Sequence, residues 1–312
     1  MRKMALKTFF AVMLLIVVFF ISGCGSSTDG NVKNAAYEII DDQGAIIQLE
    51  HKPERILTLA MGTDSIVLGI LPEEKLIAIN SLADDPVSSN IVDKANRITR
   101  KIKNPSAEEI LSLKPDVVFI YNWGPKSIAD VKENVKLIAK TLGEEDKGNL
   151  MIAKMDDKLA EIKEKVDNIK PEERKKLVLI SLMTSYGGKG CTFDDICQYA
   201  GVINGVSDAG LHNGQFLTKE MLVAINPDLL IMPVYNDHNT FDIEKYNKEF
   251  LDDPALQTLN AVKEKRFFYP REGYIYNSSQ DIVFGVQEVA RAAYGELFSQ
   301  PENCHISVAE IN

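Results

Sequence analysis

Three regimes of apolar spacing divide the chain. Apolar residues run unbroken from Phe9 to Ile21, behind Arg2, Lys3 and Lys7. From Gly25 to Asn34 they nearly vanish among Gly, Ser, Asn and Asp. From Tyr37 onward they return in short runs and in three-four spacing, the signatures of strands and amphipathic helices. The first run is shorter than the roughly 18 to 20 apolar residues that span a bilayer, and small residues, Ser22 and Gly23, follow it at once. A basic start and a short apolar stretch fit a cleaved secretory leader, residues 1–23, better than a permanent anchor. The polar stretch behind it, 24–36, predicts a flexible tether.

Residues 37–49 predict two short strands around the turn Asp42-Gln43-Gly44. Strand-like runs follow at 55–60, 75–80 and 116–121, and helical spacing at 64–71, 106–113 and 126–142. Ile152, Met155, Leu159, Ile162, Val166 and Ile169 then recur three or four residues apart, predicting one long helix across 143–171. At 1.5 Å per residue it spans roughly 30 to 40 Å, about the width of a domain, and reads as a strut more readily than as a coiled-coil seam. The pattern restarts with strands at 177–182, 228–232 and 266–269 and helices at 194–200, 219–225 and 279–297. Short apolar strands between amphipathic helices imply parallel sheets covered on both faces. The expected fold is α/β, with two Rossmann-like lobes, 37–142 and 172–312, whose central, mostly parallel sheets are joined by the helix of 143–171.

Charge narrows the function. Loss of residues 1–23 removes three of the 35 Lys and Arg and none of the 45 Asp and Glu, leaving a net charge of −13. A nucleic-acid partner is excluded on that balance. Beyond Cys24, the cysteines Cys191, Cys197 and Cys304 are an odd set, so at least one thiol is unpaired within the chain. A Cys191–Cys197 disulfide and two buried thiols are both open readings, and none of the three is assigned a function.

The two halves share a unit. Ser106-Ala107-Glu108-Glu109-Ile110-Leu111-Ser112-Leu113-Lys114-Pro115-Asp116-Val117-Val118 stands beside Thr218-Lys219-Glu220-Met221-Leu222-Val223-Ala224-Ile225-Asn226-Pro227-Asp228-Leu229-Leu230, a constant 112 residues apart. In each, a Ser or Thr caps a two-turn helix and Pro-Asp breaks it before an apolar strand. Glu109, three residues after Ser106, is placed to complete a capping box, which leaves Glu108 pointing outward. Glu220 occupies the place equivalent to Glu108. On one copy, complementing the helix dipole would explain such a glutamate; two symmetry-related copies point to a shared task.

Ser22-Gly23-Cys24 resembles the lipobox of bacterial lipoproteins, which implies a lipid on the Cys24 thiol and cleavage before it. The folded part resembles the iron-chelate and cobalamin family of ABC-importer substrate-binding proteins, the class with a rigid helix between its lobes. Pro53-Glu54-Arg55-Ile56-Leu57-Thr58-Leu59, the two Glu-to-Pro-Asp units, and the stretch from Asp253 to Phe267 carry the resemblance, which covers about 37–298. It implies a lipid-anchored, monomeric, non-enzymatic protein on the extracytoplasmic face, without a cofactor, that hands a metal chelate to a permease dimer with ATPase subunits. It also implies that Glu108 and Glu220 dock on arginines of the two permease subunits.

In open α/β sheets ligands lie beyond the carboxyl ends of the strands. The expected ligand-binding residues are Met61, Thr63, Asn80, Tyr121 and Trp123 in the first lobe and Tyr186, Lys189 and Tyr235 in the second. Trp123 and Tyr235 are again 112 apart, although packing of the Gly124-Pro125 turn explains Trp123 equally well. Arg271, Tyr274 and Tyr276 after the last strand, and Arg100, Lys101 and Lys103, are placed to reach the cleft, and the arginines and lysines among them supply the cations that an anionic chelate would require. Tyr186-Gly187-Gly188-Lys189-Gly190 fails the phosphate-loop pattern, because Gly190 follows the lysine, and reads instead as a ligand-facing turn.

A bare metal ion would need about three converging His or carboxylate ligands, and of His51, His212, His238 and His305 only two fall where the cleft is expected. Haem needs a single Tyr or His axial ligand and stays open, as does cobalamin. A lipid-anchored hydrolase is the alternative of another class. The adjacent Asp237 and His238 would serve it, but no Gly-x-Ser-x-Gly elbow supplies a nucleophile.

Overall fold

The structure is a computed structural model that describes residues 37–40, 44–120, 124–183 and 185–311. The expected leader, the tether and Cys24 lie outside the described residues, as do Tyr121, Asn122, Trp123 and Thr184. Strands β1 (Tyr37–Ile40) and β2 (Ile46–Leu49) pair antiparallel with Tyr37 opposite Leu49, as the alternation around the turn predicts. This hairpin falls in one compact unit, ending at His51, and residues 52–312 form a second.

The second unit holds two four-stranded sheets, parallel throughout. In the first, β3 (Ile56–Thr58), β4 (Leu76–Asn80), β5 (Lys101–Ile102) and β6 (Val117–Phe119) lie in the order β5-β4-β3-β6. In the second, β7 (Lys176–Leu179), β8 (Ile203–Asn204), β9 (Leu229–Ile231) and β10 (Phe267–Phe268) lie in the order β10-β9-β7-β8. The centre strands are buried on both faces: Ile56 and Leu57, successive and therefore opposed across the sheet, are both fully buried. The two-residue strands β5 and β8 and the helix Val92–Ala95 are too short to announce themselves in the spacing of apolar residues; the helix Ile243–Leu251, absent from the expected elements, does carry Ile243, Tyr246 and Phe250 at three-four spacing.

The helical layer explains why the lobes stay together. Ser127 and Asp130 form a reciprocal capping box at the start of helix Ile128–Leu142, whose Ile128, Val131, Val135, Ile138 and Leu142 face inward. Gly143, at φ 66°, closes that helix in the left-handed region that glycine adopts without strain. The strut therefore begins later than the expected 143, at Glu145, and it ends at Val166, ahead of the separate turn opened by Pro171. The two helices pack closely because Gly148 has no side chain: a Cβ there would stand 2.4 Å from the Cβ of Ala139.

Met151, Met155, Leu159, Ile162 and Val166 form the buried stripe of the strut. One continuous apolar core runs from Ile56 of β3 through this stripe to Leu177 of β7 and Val286 of the terminal helix Ile282–Tyr294. Each such side chain contributes about 1.5 to 3 kcal/mol on burial, so a core shared by both sheets resists wide separation of the lobes. Among the described residues no helix is long and apolar enough to cross a membrane. Cys191 and Cys197 are buried free thiols, and Cys304 is free and half-buried.

Candidate functional site

The carboxyl ends of the parallel strands open onto a cavity of about 410 Å³ between the lobes. The first lobe contributes Met61, Leu82, Ser88 and the Gly124-Pro125 turn, and the second contributes Met183, Tyr235, Glu272, Tyr276 and Asn277. Met61 opens the helix Met61–Ile70 directly behind β3, which puts it at the strand end. The segment 271–277 is wedged against the first lobe. Arg271 Nε donates to Asn90 Oδ1 (3.0 Å), Arg271 Nη2 to Ser89 O (3.0 Å), Asn90 Nδ2 to Gly273 O (3.1 Å), and Asn277 Nδ2 to Ser65 Oγ (3.0 Å). Gly273 is required at this approach, since a Cβ would lie 2.6 Å from Asn90 Oδ1.

Of the residues expected at the ligand, Met61, Tyr235 and Tyr276 line this cavity. Tyr121 and Trp123 lie outside the described residues. Thr63 is buried, its hydroxyl donating to Ala60 O at 2.7 Å. Asn80 caps the next turn and donates to Leu59 O at 3.2 Å. Tyr186 lines a separate cavity of about 70 Å³ inside the second lobe, bonded to Thr192 Oγ1 at 2.8 Å, with its ring 5.4 Å from that of Tyr276. The Gly-rich turn is tied by backbone bonds of Lys189 to Leu211 and Asn213, with the Lys189 side chain exposed. Tyr274 is buried and donates to Cys304 O at 2.8 Å.

The cations expected for an anionic ligand are committed elsewhere. Arg100 pairs with Glu109 (3.0 Å), Lys101 with Asp84 (3.3 Å) and Lys103 with Asp237 (3.0 Å), while Arg271 borders a different cavity of about 540 Å³ beside Lys94 and His305. Asp237 and His238, the pair a hydrolase would couple to a serine, instead fasten the second lobe to the first. His238 Nε2 lies 2.9 Å from Asp84 Oδ1 and its backbone N–H donates to Asp85 Oδ2 at 2.8 Å. The Asp84 carboxylate raises the His238 pKa above its ordinary value, and the loop holds Asp237, His238 and Asn239 all at positive φ (43°, 55° and 64°). Among the described residues no cluster of three His, Cys, Asp or Glu is arranged to hold a metal ion.

Glu272 is the residue that sequence reasoning missed. Burial, with the charge of Asp85 behind it, pushes its carboxyl up to about 8, and its Oε2 is shielded from solvent without a hydrogen-bond partner. Its signal in the sequence is Pro270-Arg271-Glu272-Gly273-Tyr274 directly after the last strand, where an acid stands between a cation and a tyrosine.

On the outer surface the repeated units fold alike. Ser106 Oγ accepts from Glu109 N (3.1 Å) and Thr218 Oγ1 from Met221 N (3.2 Å), capping helices Ala107–Ser112 and Lys219–Ile225. The capping box expected at Glu109 is half-formed: its amide serves the cap, but its carboxylate turns to Arg100. Glu108 and Glu220 are both exposed, and the backbone N–H of Glu220, with the Thr218 hydroxyl second, holds that carboxyl below its usual range.

Residues 122–272 match the model of the family described as periplasmic binding protein. The chain is 22% identical over 323 residues to a Bacillus subtilis protein described as an uncharacterized ABC transporter substrate-binding lipoprotein, YvrC, with 92% of this chain and 97% of that protein covered. It is 22% identical over 295 residues to the iron-uptake system-binding protein of the same organism, covering 86% and 90%. Among solved structures, the apo periplasmic heme-binding protein RhuT from Roseiflexus sp. RS-1 superposes with a TM-score of 0.64 at 19% identity, covering 77% of this chain and 98% of that one.

Proposed function

We propose that this chain, a member of the periplasmic binding protein family, is the extracytoplasmic solute-binding component of an ABC importer and captures an iron(III)-chelate ligand between its lobes. The observation that carries the reading is the cavity of about 410 Å³ at the strand ends, built by both lobes and large enough for a substantial part of a small chelate. Iron is favoured by the iron-uptake relative; haem and cobalamin are the other ligands of the test. The kinship to a substrate-binding lipoprotein supports attachment of Cys24 to the membrane by lipid, with residues 25–36 as the tether. The folded body works as a monomer, and the shared core under the strut keeps its closure small. Glu108 and Glu220, one exposed carboxylate per lobe on matching caps, contact the permease subunits; ATPase subunits drive uptake from the far side.

The test is an equilibrium titration of the mature chain from Cys24. Quenching of the single tryptophan, Trp123, which adjoins the cavity-lining Gly124 in sequence, is followed together with thermal shift against ferric siderophores, haem and cobalamin. Saturation by a ferric siderophore at micromolar concentration or below with a matching rise in melting temperature is expected. A response to cobalamin or haem alone would replace the ligand, and silence toward all three would remove the reading.

A further inference from the structure

The lining of the cleft says which charge its ligand brings. Among the described residues no Lys, Arg or His side chain lines the cavity. One ionisable acid does face it. Glu272 presents a carboxyl whose Oε2 is buried without a partner, an arrangement that costs free energy in the empty protein and is relieved by a group that donates to it. Two aromatic rings, Tyr235 and Tyr276, line the same cavity within electrostatic reach of this carboxyl. A carboxyl flanked by tyrosine rings is the chemistry that receives an ammonium, by charge-assisted hydrogen bond and by the negative ring face together.

Placement of the acid is not loose. The residues on either side of it are anchored on the first lobe, Arg271 on Ser89 and Asn90, Gly273 on Asn90, and Asn277 on Ser65. Asp85 stands behind it, its carboxylate occupied by the backbone N–H groups of Val87, Ser88 and His238, and its charge adds to the negative field at Glu272. In its protonated form Glu272 loses its proton to solvent as the cation arrives, so charge balances within the cleft.

We propose that the cleft selects a chelate carrying a free ammonium group, with Glu272 as the specificity-determining residue and Tyr235 and Tyr276 as its aromatic flank. This rests on the iron-chelate reading above and reverses the sequence expectation of an anionic ligand, because the cations behind that expectation are paired outside the cavity.

The test compares two ferric trihydroxamates that differ only in charge, ferrioxamine B with its free terminal ammonium and the N-acetylated form, with the anionic ferric tris-catecholate of enterobactin as a third probe. Binding to wild type and to Glu272→Gln is followed by tryptophan quenching and thermal shift. Wild type is expected to bind ferrioxamine B about 10- to 100-fold more tightly than the acetylated chelate, the range of a charge-assisted hydrogen bond. Glu272→Gln, nearly isosteric, should erase that difference while leaving affinity for the acetylated chelate and the melting temperature of the empty protein within error or slightly raised. Equal affinities in wild type, preference for the catecholate, or a preference that survives Glu272→Gln would overturn the proposal while leaving the iron-chelate reading in place. Failure of every chelate to bind would overturn both.

Discussion

The two lobes were built from one pattern and then diverged, and the divergence is uneven. Where the repeated units meet the centre strands they are nearly identical. Lys114 and Asn226, 112 residues apart, end their helices at φ 47° and 43°. Asp116 Oδ2 then accepts from the backbone of Glu54 and Arg55 (2.9 Å each), and Asp228 Oδ2 from that of Lys176 (2.9 Å), clamping the start of β3 and β7. Around this frame the lobes differ. Strand β6 is an edge and half-buried, whereas β10 covers β9 and buries it. Arg55 caps the first helix by donating to Lys114 O (3.0 Å) and Leu113 O (2.7 Å), while Lys176 at the corresponding strand start pairs with Asp208 (2.8 Å). What persists is what fixes the position of Glu108 and Glu220, and what varies lies at the sheet edges and in the partners of Arg55 and Lys176.

The centre strands offer the sharpest contrast, because each is followed by a helix with a buried aspartate near its start. Asp194 is satisfied by Asn204 Nδ2 (2.9 Å) and Gly190 N (3.2 Å), but Asp64 has neither oxygen in a well-formed hydrogen bond, and burial pushes its carboxyl up to about 7. Between pH 4 and 7 folded Asp64 keeps a proton that the unfolded chain has lost, so stability falls as pH rises through this window, by about 3 kcal/mol. Asp64→Asn should flatten that slope in urea titrations, whereas Asp194→Asn should leave it intact and destabilise at every pH; equal slopes in wild type and Asp64→Asn would break the contrast.

The clamps come next. Asp116→Ala should cost about 2 to 3 kcal/mol and Asp228→Ala about 1 to 2 kcal/mol by chemical unfolding, the first losing two amide bonds and the second one. The caps are smaller and should match: Ser106→Ala and Thr218→Ala each cost about 1 kcal/mol, and a several-fold disparity would mean that the units are not equivalent. Smallest is the left-handed residue. Lys114→Gly should stabilise by up to about 1 kcal/mol, since lysine gains nothing there, while Asn226→Gly should not, because Asn226 Oδ1 accepts from Asn260 N (3.0 Å).

The frame was legible because it is written in local rules. Pro115-Asp116 and Pro227-Asp228 each end a helix and begin a strand whatever surrounds them, and the stripe from Met155 to Val166 repeats with the helix. The cleft was legible where residues follow a strand, at Met61, Tyr235 and Tyr276. Arg100, Lys101, Lys103 and Arg271 looked available because their partners, Glu109, Asp84, Asp237 and Asn90, are distant in sequence or were given other tasks. Three of these four pairings follow from how the chain folds back or how the lobes meet, and apolar spacing carries no information on either. Glu272 was hidden for the converse reason: an acid in a loop reads as solvated until burial shows otherwise.

The most direct test of the account is uptake of radioactive iron chelate by cells that express the permease with wild-type protein or with Glu108→Arg/Glu220→Arg, alongside chelate binding by each purified protein. If the glutamates dock and the cleft binds, as proposed, uptake falls to background in the double variant with affinity unchanged. Uptake that persists at the wild-type rate, or that is lost together with binding, would contradict it.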